Sequence, residues 1–142
     1  MTHLLKSLLN RNLLALAAIA AALTPQALKA QCPFLNATLH GTYMVSGTGT
    51  IVGLGPIAAV GKTTYDGKGN LTDTYTGSVN GTIYRGVTLT GTYTVNPDCT
   101  GSLSESDGSH YDFVVTPDGS RKMWIGTDAG VVVSGTEVRL RH

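Results

Sequence analysis

From Gly41 onward the chain alternates apolar or small residues with threonine and serine. The clearest run is Val87, Leu89, Gly91, Tyr93 and Val95, interleaved with Thr88, Thr90, Thr92 and Thr94. A period of two puts one set on a buried face and the other on a wet face of a strand. The run breaks at Asn96-Pro97-Asp98, where proline lacks an N–H and the Asx side chains bond their own backbone. The chain reverses there and a new strand begins at Gly101. The same pattern predicts strands at Gly41–Val52, Ile57–Tyr65, Leu71–Val79, Ile83–Val95, Gly101–Ser106, His110–Thr116, Arg121–Thr127 and Val131–Leu140. Between them stand Asp66-Gly67-Lys68-Gly69-Asn70, Asn80-Gly81, Asp107-Gly108, Pro117-Asp118-Gly119 and Asp128-Ala129-Gly130. Several are Asn-Gly or Asp-Gly pairs, a strong short-range signal for a hairpin.

Connections this short cannot cross a sheet, so consecutive strands pair antiparallel as a meander. The fold class is therefore all-β. Eight such strands favour an up-and-down barrel, because closure removes exposed edges, with a β-sandwich as the runner-up. Two internal echoes suggest a duplicated half-barrel: GTYMV at Gly41 recurs as GTYTV at Gly91, and Asp66-Gly67 recurs as Asp118-Gly119.

The first thirty residues differ in kind. Lys6 and Arg11 precede the apolar run Leu13 to Leu23, then Thr24-Pro25 and a stretch ending at Ala30, the layout of a bacterial-type secretory signal peptide. The run is shorter than the roughly 20 residues that span a bilayer. Gln31 before Cys32 argues against a lipid anchor. The expected division is a signal peptide, 1–30, and a single barrel domain, 31–142, without a membrane anchor in the mature chain and placed in a secreted or periplasmic setting. All 18 glycines lie in that domain. Its seven basic and nine acidic side chains give a net charge of −2, with no basic patch for nucleic acid. Two cysteines in an exported chain predict one disulfide, Cys32–Cys99.

Alternation also assigns faces. Thr72, Thr74, Thr76 and Ser78 form a wet face, which leaves Leu71, Asp73, Tyr75, Gly77 and Val79 inside. Tyr43, Val45, Gly47, Gly49 and Ile51 point inward on the first strand, and Ala59, Gly61, Thr63 and Tyr65 on the second. With Tyr93 and Tyr111, five of the six tyrosines face inward, along with Phe113, and only Tyr84 points out. An eight-stranded barrel either fills its interior or holds one small ligand, and tyrosine, apolar in body with a hydroxyl that needs a partner, suits both. The candidate ligand-binding residues are accordingly Asp73, Tyr43, Tyr65, Tyr75, Tyr93, Tyr111 and Glu105. Asp73 leads, because the Thr and Ser residues around it pin its register; a rim position exposed to solvent is the alternative. Trp124, flanked by Met123 and Ile125, is expected on the outer wall.

Familiar motifs are absent or out of context. Gly53-Leu54-Gly55-Pro56-Ile57-Ala58 has dinucleotide-like spacing but no helix after it, and Gly61-Lys62-Thr63 lacks the leading glycine of a P-loop. In the Asp66–Asn70 turn Lys68 stands where a calcium loop needs oxygen. The Asn-x-Thr triplets at Asn36, Asn70 and Asn80 arise easily in a chain rich in both residues. His40, His110 and His142 are too scattered for zinc, and no Gly-x-Ser-x-Gly elbow exists. No cofactor or metal is expected, and no catalytic set is readable.

Through GTYMV, GPIAAVGKTTYDGKGNLT and GTYTVNPDCTGSL the chain resembles a group of small exported bacterial β-barrel proteins over most of residues 40–140. More loosely it resembles allene oxide cyclase and dirigent-type barrels and the wider lipocalin-like class. Those resemblances imply a barrel and no catalytic residue. The expected function is non-catalytic binding of a small apolar or aromatic molecule. A structural or cell-surface interaction role and a cofactor-free cyclase or isomerase are the alternatives.

Overall fold

The computed structural model describes residues 31–141. The expected signal peptide lies outside the described residues. The chain forms strands β1 (His40–Ile51), β2 (Gly55–Asp66), β3 (Asn70–Val79), β4 (Thr82–Val95), β5 (Thr100–Glu105), β6 (His110–Val115), β7 (Arg121–Gly126) and β8 (Val131–Arg139). Each sequence neighbour pairs antiparallel, and β8 returns to β1 with Tyr43 opposite Arg139 and Ile51 opposite Val131, which closes the barrel. The sandwich is thereby excluded. Every predicted strand end lies within two residues of the observed one, because Gly, Asn and Asp mark the turns so densely.

One irregularity interrupts the ladder. Tyr75 pairs with Val87 and Gly77 with Tyr84, so Arg85 and Gly86 together oppose Thr76, and Gly86 takes φ +63. This is a β-bulge, an extra residue that increases local twist as a sheet curls. Outside, cross-strand threonines pair hydroxyl to hydroxyl, Thr42 with Thr64 and Thr74 with Thr88, both at 3.2 Å, the half-solvated face that the alternation implies.

Inside, the core lies towards one end, called lower here, which carries turns 67–69, 96–99 and 116–120. Cys32, Leu39, Tyr43, Tyr65, Leu71, Tyr93, Val95, Cys99, Leu103, Phe113 and Val115 form one buried cluster. Residues 31–39, with a 3₁₀ turn at Leu35–Thr38, fold under it as a plug. The plug is held by hydrogen bonds that span the sequence. The Tyr93 hydroxyl donates to the carbonyls of Asn36 and Leu39, both at 2.9 Å, and the Val95 amide donates to Asn36 Oδ1 at 2.8 Å. Arg139 Nη2 donates to the Thr38 carbonyl at 2.9 Å. The expected Cys32–Cys99 disulfide is present and ties the plug to turn 96–99.

Inward glycines make room for rings. A Cβ on Gly47 would stand 2.5 Å from the Trp124 indole and one on Gly135 2.3 Å from it; one on Gly101 would stand 2.3 Å from the Phe113 ring. Such close approach excludes any side chain larger than hydrogen. These contacts correct one expectation. Trp124 lies inside the barrel, its ring edge-on to Tyr111 with centroids 5.2 Å apart, because it shares the inward parity of Lys122 while Met123 and Ile125 stand exposed outside.

The duplicated half-barrel is also not supported. The GTYxV echo relates β1 to β4, three strands on, whereas the Asp-Gly echo relates the β2–β3 turn to the β6–β7 turn, four strands on. No single duplication generates both.

The disulfide closes a loop with a sequence separation of 67, for which loss of chain entropy in the unfolded state predicts about 4 kcal/mol of stabilisation. The Cys32→Ser/Cys99→Ser variant is expected to lose stability of that order in urea unfolding; a midpoint equal to that of the parent would refute this.

Candidate functional site

The interior is layered. At the packed lower end Tyr43, Tyr65 and Tyr93 stand edge to face in sequence, with centroids 5.2 and 5.0 Å apart. The Tyr43 hydroxyl donates to the Gly119 carbonyl at 2.6 Å and accepts from Arg139 Nε at 3.0 Å. Tyr43 and Tyr93 are thus committed to holding the plug and the lower turns. Desolvation pushes the Tyr93 hydroxyl up to about 12, so it stays a donor to the plug carbonyls.

Above them lies a closed triangle of polar groups. Lys122 on β7 pairs directly with Glu137 on β8, and its ammonium reaches Glu137 Oε1 at 2.7 Å. The ammonium also donates to the Tyr65 hydroxyl, which in turn donates to Glu137 Oε2 at 2.9 Å. Lys122 and Glu137 are 1% and 4% exposed. The ammonium also lies 5.0 Å from the Tyr65 ring centroid and 4.9 Å from that of Phe113, within cation–π range. Burial lowers the Lys122 pKa while Glu137 opposes the shift. Burial, then the adjacent Glu137 charge, raises Tyr65 well above its ordinary value.

This triangle forms the floor of a cavity of about 130 Å³. Tyr75, Tyr111 and Trp124 supply aromatic walls, Val45, Ala59 and Val133 aliphatic ones, and Asp73 and Glu105 the carboxylates. Asp73 lies opposite Thr63 across the β2–β3 ladder and accepts its hydroxyl at 3.0 Å. It is therefore inside and half-buried, one layer above Leu71. Burial raises its pKa, and the Thr63 hydrogen bond partly offsets this. Glu105 projects beside Gly91, the β4 residue that separates it from Leu71 on β3. Its carboxylate has no hydrogen-bond partner among the described residues. Burial, followed by repulsion from Asp73 and Asp107, pushes it up to about 7.

Of the residues singled out in the sequence, Asp73, Tyr75, Tyr111 and Glu105 line the cavity, Tyr65 contributes to its floor, and Tyr43 and Tyr93 lie in the packed layer below. Lys122, Glu137 and Trp124 were not singled out for the interior. Their signal was parity: Lys122, Trp124 and Gly126 alternate on β7, and Val133, Gly135 and Glu137 on β8. The apolar Met123 and Ile125 outside, and the unbroken Val131-Val132-Val133, concealed it.

Fold and site define a closed eight-stranded meander barrel, packed at one end and hollow towards the other. No protein-family model matches the chain, and no curated protein matches its sequence. Among solved structures it is similar to a de novo designed fluorescence-activating β-barrel, with TM-score 0.47 and 15% identity over 72% of this chain and 94% of that one. It is also similar to a redesigned β-barrel, mFAP1, bound to DFHBI, with TM-score 0.45 and 22% identity over 73% and 97%. The closed barrel rests on the strand pairing itself.

Removing one member of a buried ion pair strands the other charge, which costs about 3–5 kcal/mol, whereas replacing the whole group by apolar residues is close to neutral. Lys122→Met is expected to lose stability of that size, and the triple change Lys122→Met/Glu137→Leu/Tyr65→Phe to regain most of it, as read by denaturant midpoints.

Glu105 carries a second prediction. Its folded pKa of about 7 exceeds the ordinary 4.5, so between those values the folded state holds the proton more tightly than the unfolded chain. This contribution to stability is present below about 4.5 and is lost as pH rises through 7. Glu105→Gln is expected to be more stable than the parent at pH 8 by on the order of 2 kcal/mol, allowing for partial solvent screening. The difference should vanish near pH 4.

Proposed function

We propose that the chain is an exported, non-catalytic barrel that binds a small apolar or aromatic molecule in the cavity above the Lys122–Glu137–Tyr65 floor. The carrying observation is the asymmetry of the interior. The lower half is filled by tyrosines whose hydroxyls are all bonded, while the half above the floor leaves about 130 Å³ between Tyr75, Tyr111 and Trp124. Its lining, largely apolar with a few convergent polar groups, is that of a small-molecule site, while its volume lies below the roughly 300–1,000 Å³ of drug-sized pockets and so suits a small ligand. A purely structural barrel would gain by filling this space, since interiors pack like organic crystals.

An extracellular or periplasmic setting is supported by the disulfide, which persists where the compartment is oxidising, and by the signal-peptide layout of residues 1–30. No helix among the described residues is long and apolar enough to cross a membrane. One observation favours a second reading, a cofactor-free cyclase or isomerase. The Glu105 carboxylate lines the cavity without a hydrogen-bond partner among the described residues, and burial, which pushes it up to about 7, suits it to proton transfer at neutral pH.

Native mass spectrometry of the disulfide-intact protein, purified from its own host, tests the binding reading. The expected result is a small molecule released on denaturation, whose return changes Trp124 fluorescence. A protein that carries nothing, and whose Trp124 emission is unmoved by a panel of small aromatic compounds, would sink it.

A further inference from the structure

Resting on the reading of the cavity as a ligand site, we infer that its ligand is an organic cation: a protonated amine joined to a short apolar or aromatic body.

The argument begins with how the protein treats its own ammonium group. In the floor, Lys122 is held by a carboxylate, Glu137, and by the rings of Tyr65 and Phe113 at about 5 Å. The layer above repeats that chemistry without the cation. Tyr75, Tyr111 and Trp124 supply rings, Asp73 and Glu105 supply carboxylates, and all five line the same cavity. The negative faces of such rings attract a cation, most strongly when it is desolvated.

Charge balance leads to the same conclusion. Lys122 and Glu137 neutralise each other within the triangle. Arg139 is committed at the lower end to Tyr43 and Thr38, and Lys62, Lys68, Arg85, Arg121 and Arg141 are exposed. Among the described residues, no free cation faces Asp73 and Glu105. Asp73 accepts one hydrogen bond, from Thr63, and Glu105 none. A carboxylate drawn out of water needs a partner, and a ligand ammonium would supply one to both acids.

Size and wall chemistry restrict the ligand further. The cavity volume corresponds to roughly four waters at liquid density, enough for a charged head and part of a body. Hard metal ions want six or more oxygens, and no group of three or more His, Cys, Asp or Glu suited to a metal exists among the described residues.

The groups around Glu105 set the expected pH dependence. They are Asp73 and Tyr75 on β3, Asp107 in the adjoining turn, Tyr111 on β6, Lys122 on β7 and Glu137 on β8. Glu105 titrates at about 7. A cation prefers its ionised form, so affinity should fall as pH falls through 7.

Isothermal titration calorimetry of the disulfide-intact protein at pH 8 with three matched probes tests this: 2-phenylethylamine, 2-phenylethanol and 3-phenylpropionate. The amine is expected to bind about tenfold or more tightly than the alcohol, and the acid not at all. Amine affinity should drop by about fivefold or more from pH 8 to pH 5.5. Glu105→Gln should weaken the amine by a larger factor than the alcohol and reduce the pH dependence; Asp73→Asn provides a second variant, each checked for a native thermal transition. Alcohol or acid binding as tightly as the amine would overturn the cation inference and leave the binding reading standing. Calcium displacing the amine would overturn it in favour of an inorganic cation. Binding of none of the three probes would remove both.

Discussion

Lys122 and Glu137 occupy directly paired positions on β7 and β8 with their side chains inside the barrel. Two charges taken out of water are tolerable only when each finds the other and the remaining donors and acceptors are met. Tyr65 from β2 completes that requirement by accepting from the ammonium and donating to the carboxylate. The triangle exists only because the barrel is closed, since β2 meets β8 through β1. It divides the interior into a packed lower half and a hollow upper one. The place of this floor sets where the cavity begins.

Below the floor the tyrosines serve construction. Their hydroxyls reach carbonyls of the plug and the lower turns, so the residues that precede β1 become part of the core. The lower turns are themselves ordered by aspartates: Asp66, Asp98 and Asp118 accept backbone amides two to four residues ahead. The Asn70 side-chain amide on Asp66 and the Thr116 hydroxyl on Asp118, followed by those backbone amides, hold the two acids at about 2, which keeps them ionised as acceptors in all but strong acid.

Above the floor the same residue types serve a different end. Glycines at inward positions let the Trp124 indole lie against the wall at Gly47 and Gly135, which turns a ring inward without filling the lumen. Acids placed there lack the basic partner that Glu137 enjoys, and Glu105 registers the deficit as a raised pKa. Ionisable groups that face a cavity in this way are frequent at functional sites.

Strand number, strand ends, meander order and the inward set on β1 to β3 were legible in the sequence, because Thr and Ser mark the wet face and Asn-Gly and Asp-Gly mark each reversal. The inward parity of Asp73 was legible for the same reason, since Thr72, Thr74 and Thr76 alternate with it, but only the pairing with Thr63 decided that it is half-buried and not exposed at the rim. The pairing of Cys32 with Cys99 followed from there being two cysteines. Trp124, Lys122 and Glu137 were not legible. Met123 and Ile125 make the outer wall of β7 as apolar as its interior, so hydrophobicity ceases to report direction. A lysine and a glutamate, moreover, belong inside only if each meets a partner far away in the chain. Tyr65 lies 57 residues from Lys122 and 72 from Glu137. Local pattern determined the strands, and closure alone decided which polar groups the interior could hold and where it would be left open.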